Sequence, residues 1–182
     1  VASAQKNALS PAFVYGLIRS ESAWVQDAKS HANAYGLMQL IPETARRMAK
    51  AEKRAFANPL ALFDPALNVA LGTRYLSSML ARFQGAHWLA AAAYNAGPQR
   101  VDQWLKLRGD LEPDLFVETI PFKETREYVA RVLAFAVIYD WRLNGRAFSL
   151  DYAMSRTADT PPPRREVACP AVGTNPAATT KP

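Results

Sequence analysis

The stretch LIRSESAWVQDAKS, residues Leu17–Ser30, puts a carboxylate among apolar neighbours. Val14, Leu17 and Ile18 precede Glu21 by seven, four and three residues. On a helix these offsets share one face, so Glu21 lies on the stripe that should face the core. The sequence therefore predicts a helix with a glutamate on its buried stripe, and the role of this glutamate has to be explained.

Two interpretations of Glu21 are compatible with this position. In the first, the carboxylate sits at the edge of the helix and caps a neighbouring group or pairs with an arginine such as Arg19. In the second, Glu21 is a general acid. Burial disfavours the charged form of a carboxyl group and raises its pKa, so that it can hold a proton near neutral pH and deliver it to a leaving oxygen.

Helix signals recur on both sides of this stretch. A capping residue followed by proline, or a proline alone, favours a helix start, and glycine favours a helix end. No segment alternates with period two, so we expect an all-α fold, with at most a very small β element in the loop from Val25 to Tyr35. The predicted helices are Pro11–Trp24, Pro42–Lys50, one after Asp64-Pro65, the alanine-rich HWLAAAAYNA that Gly97 ends, one from Pro98, and the longest, Phe122–Asn144, before Gly145.

Composition limits the partners and cofactors that we expect. The 182 residues carry a net charge of +6, which suits an anionic partner. The basic residues are scattered among acids, which argues against a nucleic-acid groove. Cys169 is the only cysteine, and His31 and His87 lack metal-ligand spacing, so we expect no intramolecular disulfide and no metal site.

The composition changes near residue 150, and this predicts two regions. Residues 1–150 have the apolar content of a folded domain, whereas residues 151–182 are rich in Pro, Thr and Ala. Such a segment buries too little apolar surface to offset its ordering entropy, so we expect an extended or disordered tail. The chain starts at Val1, and we interpret it as a processed protein or as a piece of a longer one.

Three further stretches carry polar groups in defined contexts. YGLMQLIP holds Gln39, AAAYNAGP holds Tyr94 and Asn95, and ETIPFKETREYV holds Glu124. Each also has a structural interpretation: a buried turn with a satisfied amide, a helix end with a core tyrosine, and a helix start whose acids the helix dipole favours.

Together and in this order, these motifs resemble the catalytic domain of the soluble lytic transglycosylases. These enzymes belong to the lysozyme superfamily and cleave bacterial peptidoglycan. The resemblance covers about Ser10 to Asn144. It implies a lysozyme-like helical domain over residues 1–150, a periplasmic location, peptidoglycan strands as the partner, and further domains in a longer parent chain.

The resemblance also implies a role for each candidate site residue. Glu21 corresponds to the single catalytic acid and base, and Tyr94 to the tyrosine whose hydroxyl holds that carboxyl in place. Asn95 would support the same corner of the site. Tyr35 stands where the family more often has a small residue, which would narrow the groove.

Three more residues would contact the substrate. By the resemblance, Ser30 corresponds to a serine that contacts the reacting sugar. Gln39 corresponds to a sugar-binding glutamine, and Glu124 to a glutamate that lines the groove near the peptide stem.

The reaction that the resemblance implies cleaves the bond from N-acetylmuramic acid to N-acetylglucosamine and leaves a 1,6-anhydromuramoyl end. It implies no metal and no cofactor. Ordinary glycosidases use two carboxylates, and neither Asp27 nor Glu43 matches a second catalytic position. Three alternatives stay open: a muramidase-type hydrolase of the same fold, a non-catalytic peptidoglycan-binding domain, and a basic nucleic-acid binder.

Overall fold

The computed structural model describes residues 1–155 and 165–166, and the regular secondary structure of these residues is almost entirely helical. The expectation of an all-α, lysozyme-like fold is confirmed. The helices are α1 Ala2–Lys6, α2 Pro11–Glu21, α3 Pro42–Ala51, α4 Pro65–Arg82, α5 His87–Ala96, α6 Pro98–Arg108, α7 Pro113–Glu118, α8 Lys123–Asn144 and α9 Leu150–Ala153, with a 3-10 helix at Pro59–Phe63.

Proline sets the start of most of the longer helices. The predicted starts at Pro11, Pro42, Pro65 and Pro98 are the first residues of α2, α3, α4 and α6. Proline is favoured there because its fixed φ suits the first turn and its missing N–H would have had no partner within the helix. The carboxylate of Asp64 adds a cap to α4 and accepts the backbone N–H of Leu67 at 2.6 Å.

Three element boundaries differ from the sequence-based predictions, and among them α3 ends at Ala51, one residue after the predicted Lys50. Helix α2 ends at Glu21, three residues before the predicted Trp24, because Ala23 and Trp24 have φ values of 50° and 72°. Such left-handed residues cannot continue a right-handed helix. Helix α8 starts one residue later than predicted, and it ends as predicted before Gly145, which has a φ of 68°.

β-structure is confined to small elements. The one expected in the loop after α2 is present as isolated bridges, Lys29 with Tyr35 and Tyr35 with Leu40. A two-residue antiparallel pair, β1 Arg146–Ala147 with β2 Arg165–Glu166, was not predicted, and neither were α1, the 3-10 helix, α7 or α9. These elements are too short to leave a periodic signal in the sequence.

The core forms where α2 and α5 pack against α8. At Gly16 the backbones of α2 and α8 come so close that a Cβ on residue 16 would lie 2.6 Å from the carbonyl oxygen of Val132. Helix α5 is buried along its length, and residues 90–93, all alanine, have no exposed surface. Small side chains on both helices therefore let α8 carry its polar residues close to the end of α2.

The residues that come after α8 belong to the folded domain for longer than predicted. The extended tail was predicted from residue 151, which is wrong for its first residues, since α9 continues to Ala153. Ala153 is buried, and the indole N–H of Trp88 donates to the carbonyl oxygen of Ser155 at 3.2 Å. Apart from 165–166, the rest of the predicted tail lies outside the described residues.

Within the described part of the chain, no helix combines the length and the apolar composition that crossing a membrane requires.

Candidate active site

Glu21 is the last residue of α2, and its side chain is partly buried against α8. The hydroxyl of Tyr128 donates a hydrogen bond of 2.6 Å to Oε1 of Glu21. Tyr128 is itself buried, with 3% of its surface exposed, so its ring has little freedom to move. The carboxyl group is thus held in one orientation by a rigid partner from the longest helix.

The surroundings of Glu21 change its acidity. Burial raises its pKa from 4.5 to about 7; the Tyr128 hydrogen bond lowers it, the charge of Glu124 raises it, and Arg131 lowers it. Burial outweighs the rest because taking a carboxylate out of water penalises its charged form. Near neutral pH the group populates both protonation states, which suits a residue that must give up a proton and then take one back.

We predicted that the Tyr94 hydroxyl bonds to the candidate catalytic carboxyl, and this prediction is wrong. The hydroxyl of Tyr94 donates to the backbone carbonyl oxygen of Met38 at 2.8 Å, and Tyr128 provides the bond to Glu21. Burial raises the pKa of the Tyr94 hydroxyl well above its usual value, and the nearby charge of Glu21 raises it further. Tyr94 therefore lies beside Glu21 while it fastens α5 to the loop that contains Gln39.

The loop that contains Gln39 is supported by hydrogen bonds from Asn68, a fully buried residue of α4. Its amide oxygen accepts the backbone N–H of Met38 at 2.8 Å, and its amide nitrogen donates to the carbonyl oxygens of Tyr35 and Leu62 at 2.8 and 2.9 Å. The backbone of Gly36 packs against this amide with a φ of 72°, and a Cβ on residue 36 would lie 2.4 Å from the amide nitrogen of Asn68. Only glycine fits that close approach with that backbone angle.

Gln39 projects from the same loop with a φ of 44°. Its amide nitrogen donates to the carbonyl oxygens of Ala28 and Gly36 at 3.0 and 2.8 Å, which uses both of its protons. An amide has two donors and one accepting oxygen, so only Oε1 is left for a ligand. A sugar bound to Gln39 would therefore donate a hydroxyl or an N–H to it.

Ser30 follows Lys29, which forms the bridge with Tyr35, and it makes a local turn. Its hydroxyl oxygen accepts the backbone N–H of Ala34 at 3.1 Å, and its own N–H donates to the Ala34 carbonyl at 3.0 Å. The bond from Gln39 to Ala28 joins the two halves of the loop. No described contact joins Ser30 directly to Glu21, so a shared role of these residues stays a prediction.

Asn95 and Glu124 meet at the entrance to α8. The amide oxygen of Asn95 accepts the hydroxyl of buried Thr125 at 2.6 Å, and its nitrogen donates to Oε1 of Glu124 at 3.4 Å. Glu124 is exposed, yet its charge reaches Glu21. The motif at the end of α5 and the motif at the start of α8 thus form one corner of the site.

Sequence analysis missed Tyr128 and Asn68 as site residues. The spacing of apolar residues places Tyr128 on the inner stripe of α8, and a tyrosine hydroxyl on a buried stripe needs a polar partner in the way that Glu21 does. Asn68 offers the same signal, because an asparagine inside a helix and on its buried face is costly unless its amide is hydrogen-bonded.

A carboxyl group at the end of a buried helix, oriented by a tyrosine hydroxyl and with a pKa raised to about 7, is the candidate general acid–base group of this all-helical domain. The family comparison agrees with that class. The transglycosylase SLT domain matches residues 1–117, and the soluble lytic transglycosylase helical domain matches residues 119–147. The chain belongs to the SLT-domain family of lytic transglycosylases.

Individual relatives cover the same region. The soluble lytic murein transglycosylase of Escherichia coli K12 is 41% identical over 129 residues, which are 70% of this chain and 20% of that protein. An inactive glutamate-to-glutamine mutant of lytic transglycosylase Slt from Pseudomonas aeruginosa superposes with a TM-score of 0.76 at 44% identity, over 79% of this chain and 23% of that one. The 70 kDa soluble lytic transglycosylase of Escherichia coli gives 0.74 at 36% identity, over 81% and 24%.

The chain spans about a fifth of the length of the soluble lytic murein transglycosylases that it matches.

Proposed function

We propose that this chain is the catalytic part of a peptidoglycan lytic transglycosylase with Glu21 as its single acid and base. The observation that carries the proposal is the Glu21 carboxyl itself, with its pKa raised to about 7 by burial and its position fixed by Tyr128. Membership of the family supports the reaction class, and its bacterial murein enzymes support peptidoglycan as the substrate.

In the first step, protonated Glu21 donates its proton to the glycosidic oxygen between N-acetylmuramic acid and N-acetylglucosamine. The bond from C1 of the muramic acid to that oxygen breaks, and the N-acetylglucosamine leaves as an alcohol. The neighbouring N-acetyl group of the muramic acid stabilises the positive charge that develops at C1. The substrate thereby takes the place of the second carboxylate of ordinary glycosidases.

In the second step, the ionised Glu21 takes the proton from the C6 hydroxyl of the same muramic acid while the C6 oxygen attacks C1. The new C6–O–C1 bond is the 1,6-anhydro bridge, and Glu21 is protonated again for the next cycle. No water is consumed. The hydrogen bond from Tyr128 helps because it favours the ionised carboxylate that exists between the two steps.

The other candidate residues take supporting roles in this proposal. Gln39 accepts a hydrogen bond from the sugar through its remaining amide oxygen, and Ser30 contacts the reacting sugar. Tyr94 keeps the loop of Gln39 at the correct distance from α5. Asn95 and Glu124 border the site on the α8 side, where Glu124 would lie near the stem peptide.

A relative supports a glutamate as the essential acid. The Pseudomonas aeruginosa enzyme described above is inactive when one glutamate is replaced by glutamine. The same replacement at Glu21 keeps a nearly isosteric side chain and removes the proton that the mechanism transfers.

A hydrolase of the same fold is the second candidate. The observation in its favour is Glu124, a carboxylate whose charge reaches Glu21, since two neighbouring carboxylates are the usual equipment for activating water. A peptidoglycan-binding module without catalysis is less well supported, because binding has no use for a carboxyl with a pKa near 7.

The deciding experiment is mass spectrometry of purified sacculi digested with this protein. A transglycosylase releases anhydromuramoyl products, which are lighter by one water than the products of a hydrolase. Reduction with borohydride gives a second readout, because only hydrolysed ends have a reducible carbonyl. Products that are reducible and one water heavier would establish the hydrolase, and no products from active-site-intact protein would favour the binding module.

The proposed substrate also fixes the compartment. Peptidoglycan lies in the bacterial cell envelope, so we propose that the protein acts in the periplasm.

A further inference from the structure

Helix α3 presents a cation that its neighbours leave without a carboxylate partner. Arg47 is exposed, and its guanidinium carbon lies 5.7 Å from the ring centroid of Tyr75. Among the described residues, the ion pairs of the domain do not include Arg47. A guanidinium has five N–H donors in a planar fork, so its contact with one tyrosine leaves donors for a planar anion.

A line of aromatic contacts connects this cation to the active site. The ring of Tyr75 lies 5.2 Å from the ring of Tyr94, and the Tyr94 hydroxyl bonds to Met38, the residue before Gln39. The charge of Glu21 raises the pKa of the Tyr94 hydroxyl. Arg47 is therefore two ring contacts away from the side chain that neighbours the catalytic carboxyl.

Charges of both signs reach the Glu21 carboxyl from α8, since Glu124 raises its pKa and Arg131 lowers it. Arg47 adds a cation on α3, which is connected to Tyr94 through the ring of Tyr75. A polymer with carboxylates on its muramic acids is attracted to such a cation.

We propose that Arg47 binds a carboxylate carried by muramic acid, so that α3 contributes an anionic subsite beside the cleavage site. This inference rests on the proposed function for its choice of substrate. The carboxylate belongs either to the stem peptide or to the lactyl group of muramic acid, and these two sources share the chemistry that a guanidinium recognises. Arg47 then acts on strand binding and has no part in the transfer of the proton.

The chain provides a matched control in the adjacent residue. Arg46 is also exposed on α3, and its guanidinium lies 6.0 Å from the ring centroid of Phe56. Neither arginine takes part in the described ion pairs. Arg46→Gln and Arg47→Gln therefore remove the same charge from neighbouring positions of α3. They differ in the aromatic ring that the lost guanidinium contacted, which is Phe56 for Arg46 and Tyr75 for Arg47.

The experiment measures equilibrium binding in a Glu21→Gln background, so that the ligand stays intact. The three ligands are soluble glycan strands with stem peptides, the same strands after an amidase has removed the peptides and freed the lactyl carboxylates, and a chito-oligosaccharide without carboxylates. We expect Arg47→Gln to weaken binding of stem-bearing strands about 3- to 10-fold, as for one charged contact at a partly solvated site. Arg46→Gln should leave all three affinities unchanged.

The pattern across ligands identifies the source of the carboxylate. A loss confined to stem-bearing strands assigns it to the peptide, and a loss on peptide-free strands assigns it to the lactyl group. Arg47→Lys should recover part of the affinity because it keeps the charge without the planar fork. Equal weakening on the uncharged oligosaccharide, equal effects of the two glutamine variants, or no loss on either charged strand would overturn the proposal.

The proposed function and this inference can fail separately. If the protein with Glu21 intact releases no anhydro product while Arg47→Gln still weakens strand binding, the reaction is wrong and the subsite stands. If anhydro products appear and the binding pattern is absent, the subsite is wrong and the reaction stands. Melting temperatures of all variants check that the exposed substitutions leave the fold intact.

Discussion

The Glu21 carboxyl is kept in an environment that opposes its charge, and only one neutral hydrogen bond and the charge of Arg131 offset that burial. A domain that needed Glu21 only for stability would do better with an apolar residue or with a full ion pair. The free-energy cost of burying this carboxyl has a function only if the proton that burial retains is transferred to a substrate. Both predictions at this scale test whether burial, rather than an ion pair, sets the chemistry of the residue.

The first concerns the stability of the fold as a function of pH. Between pH 4.5 and about 7 the unfolded chain releases the Glu21 proton while the folded chain keeps it. The free energy of unfolding should therefore fall as pH rises through that window, by about 3 kcal/mol in total. Glu21→Gln should lack this part of the slope and gain stability relative to the parent at alkaline pH.

Urea denaturation of both proteins across this range gives the two slopes. Comparison with the variant removes the contribution of every other titrating group. Parallel pH profiles for the parent and the variant would mean that Glu21 titrates as an ordinary exposed carboxyl.

The second concerns the tyrosine that holds the acid. The hydrogen bond from Tyr128 lowers the pKa of Glu21, so Tyr128→Phe should raise that pKa and move the alkaline limb of kcat/KM upward by about half to one pH unit. Tyr94→Phe is the matched control, because its hydroxyl bonds to Met38 and should leave the limb in place. A shift in the Tyr94 variant alone would reinstate Tyr94 as the partner of Glu21.

At the scale of elements, the sequence predicts helix ends well and contacts between helices poorly. Proline and glycine act locally, so the starts at Pro11 and Pro65 and the end before Gly145 could be predicted from neighbouring residues. The bond between Glu21 and Tyr128 joins residues that are 107 positions apart. Periodicity places both on buried stripes and says nothing about which polar groups on those stripes will meet.

The third prediction concerns the loop that carries Gln39, which depends on Asn68. Asn68→Ala would leave the buried N–H of Met38 without its partner and would remove one hydrogen bond from each of the carbonyl oxygens of Tyr35 and Leu62, so we expect the free energy of unfolding to fall by about 2–4 kcal/mol. Binding of glycan strands should weaken as well, because the loop loses its support. Chemical denaturation and strand binding on one preparation measure both effects.

Asn58→Ala provides the comparison. Asn58 is exposed and caps the 3-10 helix through one bond of 2.9 Å to the N–H of Leu60, so its loss should cost about 1 kcal/mol and leave strand binding unchanged. Similar costs for the two variants would show that the Asn68 amide is not the support of the loop.

At the scale of the whole molecule, composition predicts the extent of the domain only approximately. The change near residue 150 placed a tail from residue 151, because Pro, Thr and Ala dominate residues 151–182. The structure extends the packed region to Ser155 through one buried alanine and one bond to Trp88. Contacts of this size are set by where the chain happens to pass over the core, and average composition cannot resolve them.

The last prediction uses this difference to locate the end of the domain. A chain that stops after Ser155 keeps α9 and the bond to Trp88, and it loses β2, a two-residue pairing of marginal stability. We expect its melting temperature to stay within about 2 °C of the parent. A chain that stops after Ser149 uncovers the site of Ala153 and leaves the buried indole N–H without its acceptor, which should cost about 1–3 kcal/mol and roughly 3–10 °C. Calorimetry on the two truncated chains separates these cases. Equal melting temperatures would place the end of the domain before α9, and a large loss in the longer chain would place it beyond Ser155.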